Sequence, residues 1–350
     1  MVSSLPGLSG PSPGFRRPAL EVSFGSGSAD DWREAIASVM VESALAPSTD
    51  VVYVRLSASA PAPSPAVGDP GSVSLGYEDQ PPELVFTGQV QGVQHSVHGV
   101  TRVTATNGGA ALSMLRVNQS FEEQSAGQLV SDLAQRAGVA AGTIQDGVSF
   151  PFYVIDDRRS AYQHIAALAA KSGFVAYVNP DGELTFGPLS ETQAVQTFTY
   201  GEDIVSLEVN QVVPALGAVK TIGEGAAGSQ GAEAWSWLVK DPAAVTGSAG
   251  DGAPERQLSD SSLRSSDATQ SAAEGASGAA GLMNITGSLL VPGAPLVAVG
   301  TTVAIAGAPQ DALNGNCLVR KVRHQFAKRT GFTTLIVFSK ASESGLGGLI

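Results

Sequence analysis

The sequence predicts a mainly β protein of the α+β class, organised around one compact α/β unit. It contains 41 Gly and 20 Pro among 350 residues, a share that favours many turns and β-rich architecture over a helical bundle. Short segments with alternating apolar residues on both sides of 118–188 predict strands. Residues 118–188 carry two amphipathic helical patterns, each with a start signal and a glycine stop. At 43% hydrophobic residues, a chain of this length is globular and long enough for two or three domains.

Charge and cysteine content exclude several classes of protein. The formal net charge of −12 argues against general nucleic-acid binding, which needs a basic surface. The single cysteine, Cys317, excludes an internal disulfide and a Cys-based zinc site, and its apolar neighbours predict a buried strand position. No apolar run reaches transmembrane length, and residues 1–16 read as a flexible arm without a secretory signal. We therefore expect cytoplasmic assembly without direct membrane insertion.

The first third of the chain predicts a small antiparallel β barrel over 17–117. Asp30 or Asp31 is expected to cap a helix that continues through Ile36, Val39 and Leu45. A Pro/Ala/Ser loop is predicted over 58–71. The alternating segments predict strands, with Gly92 near the turn between the last two, over 19–24, 51–56, 83–92 and 95–106.

The middle of the chain predicts helix, strand, helix and hairpin. Ser125 with Gln128 forms a capping-box pattern, and the first helix is expected to stop at Gly138. Ser160 with Gln163 repeats the pattern, and Gly173 stops the second helix. The Asn-Pro-Asp-Gly sequence at 179–182 predicts the tight turn of a hairpin.

The last third of the chain predicts further strands on both sides of a low-complexity insertion. One or two strands are predicted over 197–213, and a long hairpin with Gly331 near its turn over 317–326 and 332–339. Short strands at 289–291 and 302–305 flank a Pro-Gly turn. The segment 223–280 is rich in Gly, Ala and Ser, with Trp235 and Trp237 as its large anchors. Within it we expect a polar helix around 258–273 and otherwise loop.

Two runs resemble the phage late control protein D family, which includes the hub part of the secretion spike protein VgrG. The resemblance covers about 118–210 and 281–340, and its order of motifs is more specific than any one of them. The first run matches the family pattern at Ser160, Tyr162, Ile165, Leu168, Ala169, Gly173, Phe174, Tyr177, Val178, Gly182, Leu184, Phe186 and Pro188. The second matches at Pro292, Gly293, Leu296, Gly300, Val303, Ile305, Gly307, Gly315, Cys317, Val319, Val322, His324, Phe326, Gly331, Thr334, Phe338 and Lys340.

The resemblance implies a structural tail hub without enzyme activity or cofactor. It implies two small β-barrel domains that flank the α/β domain and form a homotrimeric ring with pseudo-six-fold symmetry. That ring would connect the hexameric inner tube of a contractile phage tail or injection system to a trimeric spike, alongside baseplate proteins in the assembled particle. Because the chain ends at Ile350, where VgrG proteins continue, the spike is expected to be a separate protein. The implied domains are the barrels at 17–117 and at 190–222 with 281–340, the α/β domain at 118–189, the insertion at 223–280, and a tail at 341–350.

Basic residues concentrate in the last hairpin, and we expect them to contact a neighbouring subunit, the tube or the spike. No Asp or Glu occurs between Ala312 and Ser342, although a solvated strand face is an equally good interpretation. The candidate interface residues are Arg320, Lys321, Arg323, Lys328 and Arg329.

Other polar groups predict structure more strongly than chemistry. His95 and His98 stand three apart in a predicted strand, which points them to opposite faces and disfavours shared metal ligation. Asp156 and Asp157 are expected in a solvated loop before the second helix, and His324 as a hydrogen-bonded structural histidine. We therefore predict no catalytic, cofactor or metal site. A tail-associated cell-wall hydrolase and a carbohydrate-binding β protein are the alternatives.

Overall fold

The structure, a computed structural model, describes residues 16–25, 27–58, 63–188, 193–213, 216–224 and 245–340. The predictions for the arm before Arg16, for Trp235 and Trp237, and for the C-terminal tail fall outside these ranges.

Twenty strands and five helices are seen in the described residues. The strands are β1 Pro18–Phe24, β2 Ile36–Ala44, β3 Val51–Leu56, β4 Pro70–Tyr77, β5 Glu83–His95, β6 Thr101–Thr106, β7 Gln119–Ser125, β8 Ala141–Ile144, β9 Ser149–Ile155, β10 Phe174–Val178, β11 Leu184–Pro188, β12 Gln196–Thr199, β13 Ser206–Gln211, β14 Ala218–Gly223, β15 Thr246–Gly250, β16 Glu255–Asp260, β17 Ile285–Pro292, β18 Thr302–Ala306, β19 Gly315–Ala327 and β20 Gly331–Lys340. The helices are α1 Ala29–Ala35, α2 Gly109–Met114, α3 Ala126–Ala137, α4 Ala161–Ser172 and α5 Ser266–Leu282.

The mainly β prediction is confirmed, but the strands are arranged differently from two separate closed barrels. Twelve strands form one sheet, whose main path runs β1-β4-β5-β6-β3-β2-β19-β20-β17-β13, with β18 and β12 attached beside β19. Within the described residues this sheet does not close on itself. The connection between its two halves is β2 pairing with β19.

The sheet is built from two units with the same strand order. We define the first β unit as β1 to β6, with order β1-β4-β5-β6-β3-β2, and the second as β12, β13 and β17 to β20, with order β12-β18-β19-β20-β17-β13. Numbered along the chain, each unit therefore has the order 1-4-5-6-3-2. Four of the five neighbouring pairs are antiparallel in both units; the exception is that β1 runs antiparallel to β4, whereas β12 runs parallel to β18.

Details of the long hairpin repeat as well, which establishes residue equivalences between the units. The β5–β6 pairing has a bulge between Val90 and Gly92, and the β19–β20 pairing has one between Val319 and Lys321. With Val90 matched to Val319, His95 falls on His324. Both histidines use Nδ1 to bond a threonine on the opposite strand, at 3.1 Å in the first unit and 3.0 Å in the second.

The turn before β4 and β18 repeats in the same way. The amide of Gly68 donates to the Val90 carbonyl at 2.8 Å, and the amide of Gly300 donates to the Val319 carbonyl at 3.0 Å. Both glycines have positive φ, 93° and 82°, a conformation that glycine adopts without strain. The two β units are therefore copies of one architecture.

Apolar side chains form three cores. One fills the first β unit, one fills the second, and the third lies in the α/β unit, where α2, α3 and α4 pack with the sheets β7-β9 and β10-β11-β8. The last core also contains Leu263, Ala268 and Ala272, from the C-terminal part of the insertion.

The predicted helix signals of the α/β unit are confirmed. The hydroxyls of Ser125 and Ser160 accept from the backbone amides three residues on. The side-chain oxygen of the glutamine at that position accepts from the backbone amide of the cap serine. Gly138 and Gly173 end the helices in left-handed conformation. The turn 179–182 joins β10 and β11 as an antiparallel hairpin.

The described residues 245–280 of the insertion contain more regular structure than predicted. Strand β16 occupies the first part of the predicted helix, and α5 begins only at Ser266, because the Ser265 hydroxyl caps it by accepting from the Ala268 amide. Strands β14, β15 and β16 form a sheet against α5. Lys171 on α4 binds Asp260 and Ser262, so the insertion docks on the α/β unit.

The first β unit contains three further corrections. Helix α1 is capped by Ser28 and ends at Ala35; the predicted continuation is strand β2, because its β-branched residues pair with β3 and β19. Gly92 lies within β5, and the chain turns at 96–100 around Gly99, whose φ is 78°. Strand β4 occupies the end of the predicted loop.

Candidate assembly surfaces

The pairing of β2 with β19, here called the seam, is the place where the two β units meet. It runs antiparallel from Lys321 opposite Ala44 to Ala327 opposite Ser38. Glu42 projects from β2 and binds two cations of β19: Lys321 Nζ lies 3.1 Å from one carboxylate oxygen, and Arg323 Nε donates to the other at 2.6 Å. Burial opposes the charged form of Glu42, but these two partners outweigh it and hold its pKa below the usual value.

Apolar contacts accompany the ion pairs across the seam. Phe326 and Phe332, at the end of the β19–β20 hairpin, are buried in the core of the first β unit. The ring of Tyr77 on β4 packs at a tilt against that of Phe332, with centroids 5.9 Å apart, and its hydroxyl donates to the Gly293 carbonyl at 3.1 Å. The tip of one unit's hairpin therefore completes the other unit's core.

The five basic residues predicted as an interface do not form one free patch. Lys321 and Arg323 are engaged at the seam, and Lys328 Nζ donates to the Glu34 carbonyl at 2.8 Å. Arg320 contacts Met283 and donates to the Ser339 hydroxyl at 3.3 Å. Arg329 is exposed in the hairpin turn.

Asp50 and His324 line one narrow crevice where the two β units and the α/β unit meet. The Asp50 carboxylate accepts from the Ala44 amide at 3.0 Å and from Asn107 Nδ2 at 2.9 Å. Burial nevertheless raises the pKa of Asp50 to about 7, so this group titrates near neutrality.

His324 has the structural role that the sequence predicted. Its Nε2 faces the Val297 carbonyl at 3.2 Å, which requires a proton on Nε2, so Nδ1 accepts from the Thr334 hydroxyl. The same hydroxyl oxygen accepts from the Ala294 amide at 2.9 Å. Burial lowers the pKa of His324 to about 4 and keeps the ring neutral. The histidine thus fastens the loop 292–300 to the hairpin.

Two sheet edges are exposed at the positions that correspond to the two sides of the seam. Strand β13, which corresponds to β2, pairs with β17 on one side only within the described residues. Strand β5, which corresponds to β19, pairs with β4 only as far as Gln89. Beyond that point, no described strand lies along the same edge of 91–95.

The remaining polar candidates lie apart from one another. His95 bonds Thr101, and within the described residues no cluster of three or more His, Cys, Asp or Glu side chains has metal-site geometry. Asp156 pairs with Arg158 in the exposed loop before α4. Cys317 is buried, and burial raises the pKa of its thiol to about 12, so the prediction of a buried strand cysteine is confirmed. Sequence reasoning missed Glu42, which lies within the predicted helix, and Asp50, for which the position directly before the predicted strand 51–56 was the available signal.

Known structures share this fold. A tail protein from Neisseria meningitidis MC58 superposes with a TM-score of 0.70 at 13% identity, over 93% of this chain and 97% of that chain. A 43 kDa tail protein of prophage MuSo2 from Shewanella oneidensis gives 0.68 at 12% identity, over 92% and 98%. The E. coli protein c3393, described as a component of the type VI secretion system with similarity to T4 tail proteins gp27 and gp5, gives 0.58 at 10% identity, over 93% and 77%. The fold is thus that of phage tail proteins.

A family model described as the Alg8 N-terminal domain matches residues 66–328, and the chain belongs to that family. That description states no reaction. The narrower resemblance to the late control protein D family remains a prediction, because the matching model is a different one. No curated protein matches the sequence. Among the described residues, no helix has the length and apolar character needed to span a membrane.

Proposed function

We propose that the chain is a structural hub of a contractile phage tail or a phage-tail-like injection particle. Three copies would form a ring with pseudo-six-fold symmetry, with the hexameric inner tube on one side and a separate trimeric spike on the other. The ring would act by matching the symmetry of the tube to that of the spike, which requires no catalysis. The observation that carries the proposal is the duplication of the β unit, because three chains with two similar units each present six similar positions.

The fold comparisons support the same role. The superposed proteins from Neisseria and Shewanella are described as tail proteins, and c3393 as a secretion-system component. In the proposed particle the ring consists of the two β units, β1 to β6 and β12, β13 with β17 to β20. The α/β domain at 118–189 would lie off the ring, toward the spike or the baseplate.

The mass of the particle in solution tests the ring. We expect the purified chain to show three times the 35.5 kDa mass of one chain by mass photometry, and a larger mass when tube or spike protein binds to it. Electron microscopy of tube assembled with the hub should show a cap at one end. A persistent monomer in all mixtures would overturn the proposal, and release of peptidoglycan fragments by that monomer would favour the hydrolase.

We also propose that Arg329 and Arg320 of the basic hairpin contact an acidic partner in the particle. Arg329→Glu should weaken binding to the tube or spike while leaving the thermal midpoint unchanged, since the side chain is exposed. Arg256→Glu, another exposed arginine but on β16, is the matched control. Equal binding by both variants and the unmodified chain would contradict this assignment. Charge reversal at Arg323 is a poorer test because it also breaks the ion pair with Glu42.

A further inference from the structure

The duplication relates each residue of the seam to a residue elsewhere in the chain. Matching the bulges and ladder registers places Ser38 on Ser206 and Glu42 on Asn210 in the β2-like strand. In the β19-like strand it places Lys321 on Gly92 and Arg323 on Gln94. The counterparts of the two seam strands are therefore β13 on one side and the end of β5 on the other, and together they define a second seam.

The two sides of this second seam do not meet within one chain. Strand β13 stands at the end of the twelve-stranded sheet, and the end of β5 lies inside the first unit. An exposed edge presents unpaired N–H and C=O groups to any strand that can approach it. The seam that is already formed shows that this architecture joins unit to unit through these two edges.

Apolar side chains are exposed where the formed seam buries them. Phe326 is 9% exposed in the seam, whereas Val97, at the corresponding place in the β5–β6 hairpin tip, is 97% exposed. On the other side, Val205, Val212 and Val213 flank β13 and are also exposed, Val213 at 87%. Three exposed valines beside β13 and the single Val97 near the end of β5 supply apolar surface that pairing of the two edges would cover.

We propose that β13 of one chain pairs antiparallel with residues 92–95 of β5 in the next chain, with Asn210 opposite Gln94. The occupant of each edge is a second copy of this chain. The contact is head-to-tail, since each chain offers β13 at one end and β5 at the other, and a head-to-tail contact that closes produces a ring. This inference rests on the proposed ring and specifies the strands that hold it together.

The proposed contact differs from the seam in charge. Gln94 and Asn210 replace the Arg323 and Glu42 ion pair, and Gly92 replaces Lys321. A Cβ at Gly92 would meet no atom within 4 Å in the single chain, so the face of the sheet is open at this position. The chain-to-chain contact is thus neutral, and main-chain hydrogen bonds with the valine contacts hold it.

Cysteine cross-linking tests the register. Gln94→Cys and Asn210→Cys alter exposed positions, and the native Cys317 is buried, so little background is expected. Residues directly opposite across antiparallel strands have Cβ atoms about 5 Å apart, close enough for a disulfide after small adjustment. Mild oxidation of a mixture of the two single variants should give a covalent dimer, and the double variant should give covalent species up to the trimer.

The matched control moves one cysteine along the same strand. In Gln94→Cys with Ser206→Cys, the second cysteine lies four residues from the register position, or about 14 Å along the strand. We expect at least about tenfold less cross-linking than with Asn210→Cys, because that distance exceeds the reach of a disulfide.

The outcomes separate this inference from the proposed function. A trimer that forms without cross-links at 94 and 210, or with more at 94 and 206, overturns the strand pairing and leaves the hub role intact. Loss of the cross-link when tube protein is added would show that the tube occupies this edge and would also overturn it. A chain that stays monomeric under all conditions overturns the ring and the pairing together.

Discussion

At the scale of single residues, the crevice between the units holds two groups whose titrations oppose each other. Asp50 has a folded-state pKa of about 7, above its ordinary 3.8, so its contribution to stability is full below pH 3.8 and is lost as pH rises through 7. His324 has a folded-state pKa of about 4, below its ordinary 6.5, so its contribution is full above pH 6.5 and is lost as pH falls through 4. Between pH 4 and 6.5 the two slopes have opposite signs and largely cancel.

Removing either group should reveal the pH dependence of stability that the other group causes. Relative to the unmodified chain, Asp50→Asn should lose stability as pH falls from 6.5 to 4, because the His324 slope is then uncompensated. His324→Gln should gain stability over the same range. Urea unfolding at a series of pH values measures both slopes, and other carboxylates cancel in the comparison. Parallel pH profiles for all three proteins would contradict the pKa assignments.

Glu42 permits a second test at this scale. Because its carboxylate is largely enclosed and carries two cations, Glu42→Gln should lower the free energy of unfolding by about 1 kcal/mol. Asp132→Asn, which breaks an exposed pair with Arg136 one helical turn away on α3, should cost less than about 0.5 kcal/mol. Equal effects in chemical denaturation would mean that the seam ion pairs contribute no more than a surface pair.

At the scale of elements, the sequence predicts the features that depend only on neighbouring residues, such as where a helix begins and ends. The capping boxes at Ser125 and Ser160 and the glycine stops need only neighbouring residues, and they stand where predicted. The sequence predicts a helix where strand β2 lies, because Ile36, Val39 and Met40 also fit a helical spacing. Its partners β3 and β19 decide the outcome, and β19 lies about 280 residues away in the sequence.

The contact of α5 with α4 also depends on distant residues and gives an element-scale prediction. A Cβ at Gly275 would lie 2.7 Å from the Gly173 Cα, whereas one at Gly278 would meet nothing within 4 Å. Gly278→Ala should stabilise the protein by about 0.5–1 kcal/mol through helix propensity. Gly275→Ala should instead destabilise it by about 1–3 kcal/mol through overpacking. Thermal unfolding of the two variants compares them directly, and stabilisation by both would show that the helices do not approach this closely.

At the scale of the whole molecule, the two β units share a strand order but few residue identities. The duplication therefore cannot be predicted from the sequence. The equivalent runs QVQGVQH at 89–95 and LVRKVRH at 318–324 share only two valines and the histidine. Both valines hold equivalent strand positions, but His95 is exposed and His324 is buried against the loop 292–300. Strand pairing can be conserved while side chains diverge, because the ladder uses main-chain atoms. A repeat of this kind is visible in sheet order and bulge position and not in residue identity.

The last prediction concerns the proposed chain-to-chain contact. The charged residues that pair across the seam can be introduced at the corresponding positions of this contact. Asn210→Glu with Gln94→Arg would place at this contact the charges that Glu42 and Arg323 carry at the seam. Opposite charges directly across antiparallel strands contribute roughly 0.2–1 kcal/mol, and like charges destabilise by similar amounts. Mass photometry over a dilution series should therefore show tighter trimers for this variant and weaker ones for Asn210→Glu with Gln94→Glu, with salt reducing both differences.

The same charges at Gln94 and Ser206 provide the control, because these positions do not face each other in the proposed register. Like and opposite signs there should dissociate alike. If the two pairs at 94 and 210 also behave alike, the second contact does not copy the first. The two β units would then be duplicated in fold without being equivalent in assembly.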